Sequence, residues 1–362
     1  MLAIGLMSGT SLDGVDAALI ETDGEGVVRP ISFRGEPYAD SARAQLGAAT
    51  TRALTFERPG DDAVISAAAE LSMRIHAQAV RGLLQDARID AADVAVVGYH
   101  GQTIAHRPDR GWTWQIGDGA ALAAAVGIAV VSDFRSADVA AGGQGAPLLP
   151  IYHAALVRDL AGPVAVLNLG GVANITYVGG NGTLIAFDTG PANGLIDSWV
   201  EAETGSRFDA GGALAAGGRV DETVLDSMLD NPWFDLTPPK SLDRSDFTIQ
   251  PARGLSAADG AATLTAFTAA TVALALDHLP ARPVRLLVAG GGRHNATMLA
   301  MIAARTGLTI QPTDALGWNG DAIEAEGFAY MAVRRLKGLP ISFPGTTGVP
   351  EPMTGGVLYD RR

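Results

Sequence analysis

The 362-residue chain contains no cysteine, which removes disulfides, thiolate nucleophiles and cysteine-held metals from consideration. Lysine is nearly absent as well. Lys240 and Lys337 are the only two, and neither follows Gly-x-x-x-x-Gly, so a P-loop is excluded. Positive charge is scarce overall: 26 Lys and Arg stand against 39 Asp and Glu, for a net charge of −13. Nucleic acid and anionic membrane both need basic surfaces and are not expected partners. No apolar run reaches the roughly 18–20 residues of a membrane span. Met1-Leu2-Ala3-Ile4 has no basic lead, and polar Ser8, Thr10 and Asp13 follow at once, unlike a signal peptide. The expectation is a cytoplasmic chain of two domains. Because its charge repels anions at long range, any phosphate must be held by local features: backbone N–H groups, helix N-termini or a divalent cation.

What is present is glycine-rich turns between apolar segments. Ala3–Met7 and Val15–Ile20 read as strands flanking Ser8–Gly14. A helix is expected over Asp61–Ala87, with Val64, Ala68, Leu71, Ile75, Ala79 and Leu83 on its buried stripe. A buried strand, Val94–Gly98, leads into a loop carrying His100, Gln102 and Thr103, and another strand is expected at Ile128–Val131. The second half opens in the same way. Strand Val164–Asn168, turn 169–174 and strand Ile175–Val178 precede strand Thr183–Phe187. A helix then starts near Asn193, a long one spans Ala257–His278, and strand Val284–Ala289 runs into Gly290-Gly291-Gly292. Helices near Asn295–Arg305 and Asp321–Lys337 follow. Hairpins first and helices after, twice over, is a duplicated architecture with mixed α/β sheets. Ala140–Pro150 reads as a hinge, and Pro340–Arg362 as an irregular tail packed back across the molecule.

Each turn has a functional and a plain reading. Gly9 and Gly14 permit positive φ and close approach of a ligand. Thr10 and Ser11 can donate to phosphate oxygens, and Asp13 or Asp16 can hold a hydrated Mg²⁺; the plain reading is a polar hairpin. The second turn, with Gly170, Gly171 and Asn174, again offers bare backbone, and two such hairpins can clamp a polyphosphate. Gly290-Gly291-Gly292-Arg293-His294-Asn295 opens a helix, where flat backbone suits adenine or ribose. The dinucleotide fingerprint fails there because Asn295 holds the last glycine position. Asp188, at a strand end ahead of a helix, is placed as a general base or as a cap for the adjoining turn or helix. His100 is either a substrate hydrogen-bonding group or structural. Arg135 can clamp a substrate carboxylate or pair with Asp133 or Asp138. Of Glu324 and Glu326, at least one is expected to be merely solvated.

Taken together, Met7–Asp16, Gly101-Gln102-Thr103, Phe134-Arg135-Ser136 with Gly142–Leu148, Asn168–Ile175 and Asp188-Thr189-Gly190-Pro191 resemble the anhydro-N-acetylmuramic acid kinase family, collinearly over essentially the whole chain. The resemblance implies an α/β fold of two ribonuclease-H-like domains of actin, hexokinase and Hsp70 type around a nucleotide cleft. Expected bounds are 1–135 (with tail 345–362) and 136–344. It implies ATP and Mg²⁺ as cofactors, 1,6-anhydro-N-acetylmuramic acid as substrate, a role in peptidoglycan recycling, and a homodimer. Asp188 would activate the water. Gly9, Thr10, Ser11, Leu12, Asp13, Gly14, Val15 and Asp16 match the ATP-phosphate segment, with Mg²⁺ at Asp13 or Asp16. Gly170, Gly171 and Asn174 match a second phosphate hairpin, and Gly290, Gly291 and Gly292 the adenosine segment. Substrate contacts carry over to His100, Gln102, Thr103, Arg135, Gln144 and Glu326. Rival readings are another amino-sugar kinase of this fold and a non-catalytic ATP-switched binding protein.

Overall fold

The computed structural model describes residues 1–242 and 246–361. The chain divides into two compact units, one of residues 1–158 and 322–362, the other of residues 159–321; Arg362, the end of the expected tail, lies outside the described residues.

The first unit opens with β1 (Leu2–Ser8), β2 (Gly14–Thr22) and β3 (Val28–Pro37), an antiparallel meander. Helices α1 (Asp40–Ala53) and α2 (Ala63–Ala87) follow. Asp62 starts α2 by accepting from the amides of Val64 and Ile65, and Arg88 ends it in a left-handed conformation. Val64, expected on the buried stripe, is exposed, and its neighbour Ile65 takes that place. Strand β4 (Val94–Arg107) pairs parallel to β1 and antiparallel to β5 (Trp112–Ile116); α3 (Gly119–Val126), β6 (Val130–Ser132), α4 (Ser136–Ala140) and α5 (Pro150–Leu156) complete the run.

The second unit repeats the path. Strands β7 (Val164–Leu169), β8 (Val172–Val178) and β9 (Leu184–Pro191) form an antiparallel meander. Helices α6 (Asn193–Thr204), α7 (Ala213–Ala216), α8 (Glu222–Leu229) and α9 (Ala257–Ala275) precede β10 (Arg285–Ala289), α10 (Ala296–Thr306) and β11 (Ile310–Pro312). β10 lies parallel to both β7 and β11, so the order is β11-β10-β7-β8-β9. The stretch Ala257–His278 corrects the expectation that no run is long and apolar enough to cross a membrane. Its most apolar 18 residues have a mean hydropathy of 1.4 and are 83% buried, as the central helix of this unit's core with Leu264, Phe267 and Val272.

The chain then returns to the first unit with α11 (Ile323–Leu336) and β12 (Val357–Tyr359). Its sheet runs β12-β6-β4-β1-β2-β3, with β5 beside β4. A side chain at Gly5 or Gly98 would collide with the carbonyl of Ala325 or Phe328, so two bare strand positions let α11 lie against β1 and β4. The expected break after residue 135 falls instead inside this unit. The stretch expected to hinge is tied down: Gln144 N donates to Thr347 O at 2.6 Å, and Gly145 N to the Asp138 carboxylate at 2.6 Å.

Candidate active site

The first glycine turn joins β1 to β2. Its left-handed residue is Leu12, at φ 56°, which corrects the expectation that Gly9 and Gly14 supply positive φ. Gly14 is bare for another reason: a Cβ there would stand 2.5 Å from the Glu36 carbonyl on β3. Thr10, Ser11 and Asp13 are exposed on the turn, Asp16 is half-buried on β2 behind Val15, and Ser11 Oγ donates to Asp13 Oδ1. The turn is braced from below. Ser8 Oγ donates to Gln102 Oε1 at 2.5 Å, Gln102 Nε2 donates to Gly9 O at 3.1 Å, and Arg43 Nε donates to Leu12 O at 3.0 Å. Tyr38 Oη shares a 2.8 Å hydrogen bond with Ser8 Oγ, and burial pushes its phenol up to about 12.

His100, Gln102 and Thr103 were expected in a cleft-lining loop, but all three belong to β4, which runs on to Arg107 because β5 pairs with it. Gln102 is fully buried, and its amide holds the first turn. Thr103 Oγ1 accepts from Gln115 Nε2. His100 is buried; its Nδ1 donates to Gly101 O at 2.9 Å and its Nε2 accepts from Arg135 Nε at 3.0 Å. Burial, then the adjacent Arg135 charge, holds His100 well below its usual range, so it is neutral. Arg135 also donates from Nη1 to Gly145 O at 2.7 Å. The structure thus gathers His100, Arg135 and the Gln144 loop into one group. Glu326 sits on α11, buried, and accepts a 2.6 Å hydrogen bond from Tyr152 Oη. Burial raises its carboxyl above the usual value, against the Tyr152 donor, which lowers it.

In the second unit β7 and β8 are joined by Gly170 and Gly171 alone. The start of α6 donates to their carbonyls, Asn193 N to Gly170 O and both Ala192 N and Gly194 N to Gly171 O. Gly171 is exposed, and among the described residues nothing lies within 4 Å of where its side chain would be. Asn174 lies within β8, not in the turn. Asp188 lies inside β9, which continues to Pro191, rather than at its end. It does not cap the next helix: α6 begins at Asn193, and its N-cap Ala192 makes no side-chain cap hydrogen bond. Its Oδ2 instead accepts from Leu242 N at 2.8 Å, and its own amide donates to Lys240 O at 3.0 Å. Beside this anchor lies a cavity of about 240 Å³, lined by Gly171, Val172, Pro191, Leu242 and Phe247 among others.

The third glycine stretch lies against the second. Gly290 has φ 75°, and a Cβ on it would stand 2.8 Å from Leu169 O; one on Gly292 would stand 2.5 Å from Leu169 Cβ. Gly291 remains open: among the described residues the nearest atom to a Cβ there would be Asn193 Nδ2, at 4.0 Å. Arg293 is buried and donates to Asp314, Asp321 and Gly290 O, which fixes the bend after β10. Sequence reasoning missed Tyr152 and Thr347, whose partners Glu326 and Asp138 lie 174 and 209 positions away, and it named Asp138 only as a possible partner of Arg135. Among the described residues no group of three or more His, Asp or Glu stands ready to hold a metal.

Two sheets that share the order of five strands, β6-β4-β1-β2-β3 and β11-β10-β7-β8-β9, each with a glycine turn after its first strand, define a duplicated α/β fold, the class expected from the sequence. The (R)-2-hydroxyglutaryl-CoA dehydratase component A of Acidaminococcus fermentans shares that fold, with TM-score 0.51 and 12% identity over 93% of this chain and 99% of that one. The family described as anhydro-N-acetylmuramic acid kinase matches residues 1–361, and the chain belongs to that family. Relatives so named are 71% identical in Rhizorhabdus wittichii, over 99% of both chains, and 57% identical in Zymomonas mobilis, over 99% of this chain and 100% of that one.

Proposed function

We propose that the chain uses ATP to open 1,6-anhydro-N-acetylmuramic acid with water and to phosphorylate the freed O6. The products are N-acetylmuramic acid 6-phosphate and ADP, in peptidoglycan recycling. The observation that carries this reading is Asp188 pinned by the Leu242 amide in a chain of this family. In the reaction a water gives its proton to Asp188 while its oxygen bonds to the anomeric carbon. The C1–O6 bond breaks, and O6 takes the γ-phosphoryl group as the bond to the ADP oxygen breaks. One carboxylate suffices because the sugar has no 6-hydroxyl until the bridge opens.

Backbone N–H groups of the Gly9–Gly14 turn and of Gly170-Gly171 are assigned to phosphates, and Gly290–Gly292 to the adenosine. Exposed Asp13 is a fitting ligand for a hydrated Mg²⁺, which is held by one or two carboxylates with phosphate oxygens and water. When bound, the ion neutralises phosphate charge. With lysine this scarce, the protein's own part falls to backbone amides and to Arg135, which we assign to the carboxylate of the sugar's acid arm. The His100 and Gln102 positions support these groups from beneath. We place the enzyme in the cytoplasm as a homodimer that binds neither nucleic acid nor membrane; the −13 charge favours the last two points.

Turnover in ¹⁸O-water with ATP, Mg²⁺ and the anhydro-sugar tests the reaction. The label is expected on the anomeric carbon, with one ADP formed per sugar. Label absent from that carbon, or ADP released without sugar phosphate, rejects it.

A further inference from the structure

Asp138 is a carboxylate that the proposed chemistry does not use. It lies on α4 with 2% exposure, and burying a charge is costly unless it is hydrogen-bonded. Its two oxygens serve different segments. Oδ1 accepts from Gly145 N at 2.6 Å, and Oδ2 accepts from Thr347 Oγ1 at 2.6 Å. Thr347, in the C-terminal segment, is itself fully buried, and its carbonyl accepts from Gln144 N at 2.6 Å. The tail therefore grips the 142–145 loop directly and through Asp138. Gly143 must be bare for this arrangement, because a Cβ there would stand 2.8 Å from Asp138 Cγ.

The loop transmits that hold to Arg135. Gly145, at φ 68°, gives its amide to Asp138 and receives Arg135 Nη1 on its carbonyl at 2.7 Å. On its other edge Arg135 donates from Nε to His100 Nε2 at 3.0 Å. Gly101 O can only accept, so His100 carries its proton on Nδ1, and its Nε2 lone pair faces the arginine. The guanidinium is thus fixed on two edges. The edge formed by its two terminal amino groups has the fork geometry that a carboxylate meets with two parallel hydrogen bonds.

We propose that Asp138 and Thr347 are positioning residues for substrate selection: through Gly145 they fix Arg135 so that the enzyme prefers a sugar bearing a carboxylate over the same sugar without one. The proposal rests on the assignment of Arg135 to the acid arm.

The test compares kcat/KM for 1,6-anhydro-N-acetylmuramic acid with that for 1,6-anhydro-N-acetylglucosamine, the same bicycle lacking the acid arm. Wild type is expected to prefer the acid. Arg135→Ala should cut that preference about 10- to 100-fold, the range of a charged hydrogen-bonded contact. Thr347→Val and Asp138→Asn should each cut it at least about fivefold, a lost hydrogen bond being the cause, with the KM for ATP within about twofold of wild type. Thr347→Ser, which keeps the hydroxyl, should restore it. If Arg135→Ala lowers the preference but Thr347→Val slows both sugars equally, Asp138 and Thr347 only hold the fold and the inference fails. If wild type shows no preference, or Arg135→Ala leaves it unchanged, the arginine assignment itself fails. Thr347→Val decides the matter even where Asp138→Asn does not fold.

Discussion

Asp188 on β9 stands directly opposite Asn174 on β8, and Asn174 in turn stands opposite Asn168 on β7. Cross-strand partners share a face of the sheet, so three polar side chains form one row, and Ala289, just before Gly290, extends it across β10. The row places the acid in line with both glycine turns of its unit. Asp188→Asn keeps an oxygen for the Leu242 amide but cannot take a proton. Turnover should fall by roughly 10²–10⁴, with the melting temperature and the KM for ATP little changed. Steady-state kinetics with ADP detection checks this, and near-normal turnover would leave Asp188 only an anchor for the Lys240–Leu242 segment.

The buried Tyr152–Glu326 bond makes a different, pH-dependent prediction. Burial holds the Glu326 carboxyl above its ordinary 4.5, so its stability contribution is complete below that value and declines as pH rises through the folded-state value. Tyr152 opposes the rise by donating to the carboxylate. Tyr152→Phe leaves that carboxylate without this donor and should cost roughly 1–3 kcal/mol, more at pH 8 than at pH 4. Urea titrations at the two pH values measure it. An equal loss at both would mean that Tyr152 contributes packing alone.

The parts of this fold written locally were legible in the sequence. Apolar segments around Ser8–Gly14 and around Gly170-Gly171 announce both hairpins, and the capped α2 and α9 announce themselves by length and spacing. Strand β3 was not foreseen: none of its residues is buried, and Pro30 and Pro37 suit only the edge position that it occupies. The extent of β4 was missed for a related reason. Residues 99–107 hold Gly101 and several polar side chains, and they become strand only because β5 pairs with them. In the site, glycine turns and Asp188 carry local signals. The groups that hold Arg135 and Glu326 do not, since Asp138 finds Thr347 across 209 positions and Tyr152 finds Glu326 across 174. Such pairings are set by tertiary packing, which no short window of sequence records.

Gly290 is required by backbone conformation and by space at once. Its φ of 75° strains any L side chain, and a Cβ would press on Asn168 Oδ1 and Leu169 O. Gly290→Ala should therefore cost roughly 1–3 kcal/mol of stability. It should also raise the KM for ATP more than the KM for the sugar, because the displaced segment is the one assigned to the adenosine. Thermal unfolding and two-substrate kinetics together test this, and equal rises in both KM values would remove the adenosine assignment.

Acid should unfold the protein through its buried histidines. His76 donates from Nδ1 to the Ser72 carbonyl at 2.7 Å, its Nε2 is buried without a partner among the described residues, and its ring lies 4.8 Å from that of Tyr99. Burial lowers it from 6.5 to about 4. A depressed value means that the neutral form is favoured in the fold. Its contribution is complete above pH 6.5 and lost as pH falls through 4, a change of about 3 kcal/mol for this group. His153 is lowered to about 4 by burial as well. His76→Gln keeps an N–H for Ser72 and cannot charge. Its unfolding free energy should start below wild type at pH 7 and fall less steeply toward pH 4, without becoming flat, because His153 and His100 still titrate. Urea denaturation at pH 7, 5 and 4 measures both slopes. Parallel slopes would show that His76 gains its proton in the folded state without penalty, which its burial on α2 against the Tyr99 ring forbids.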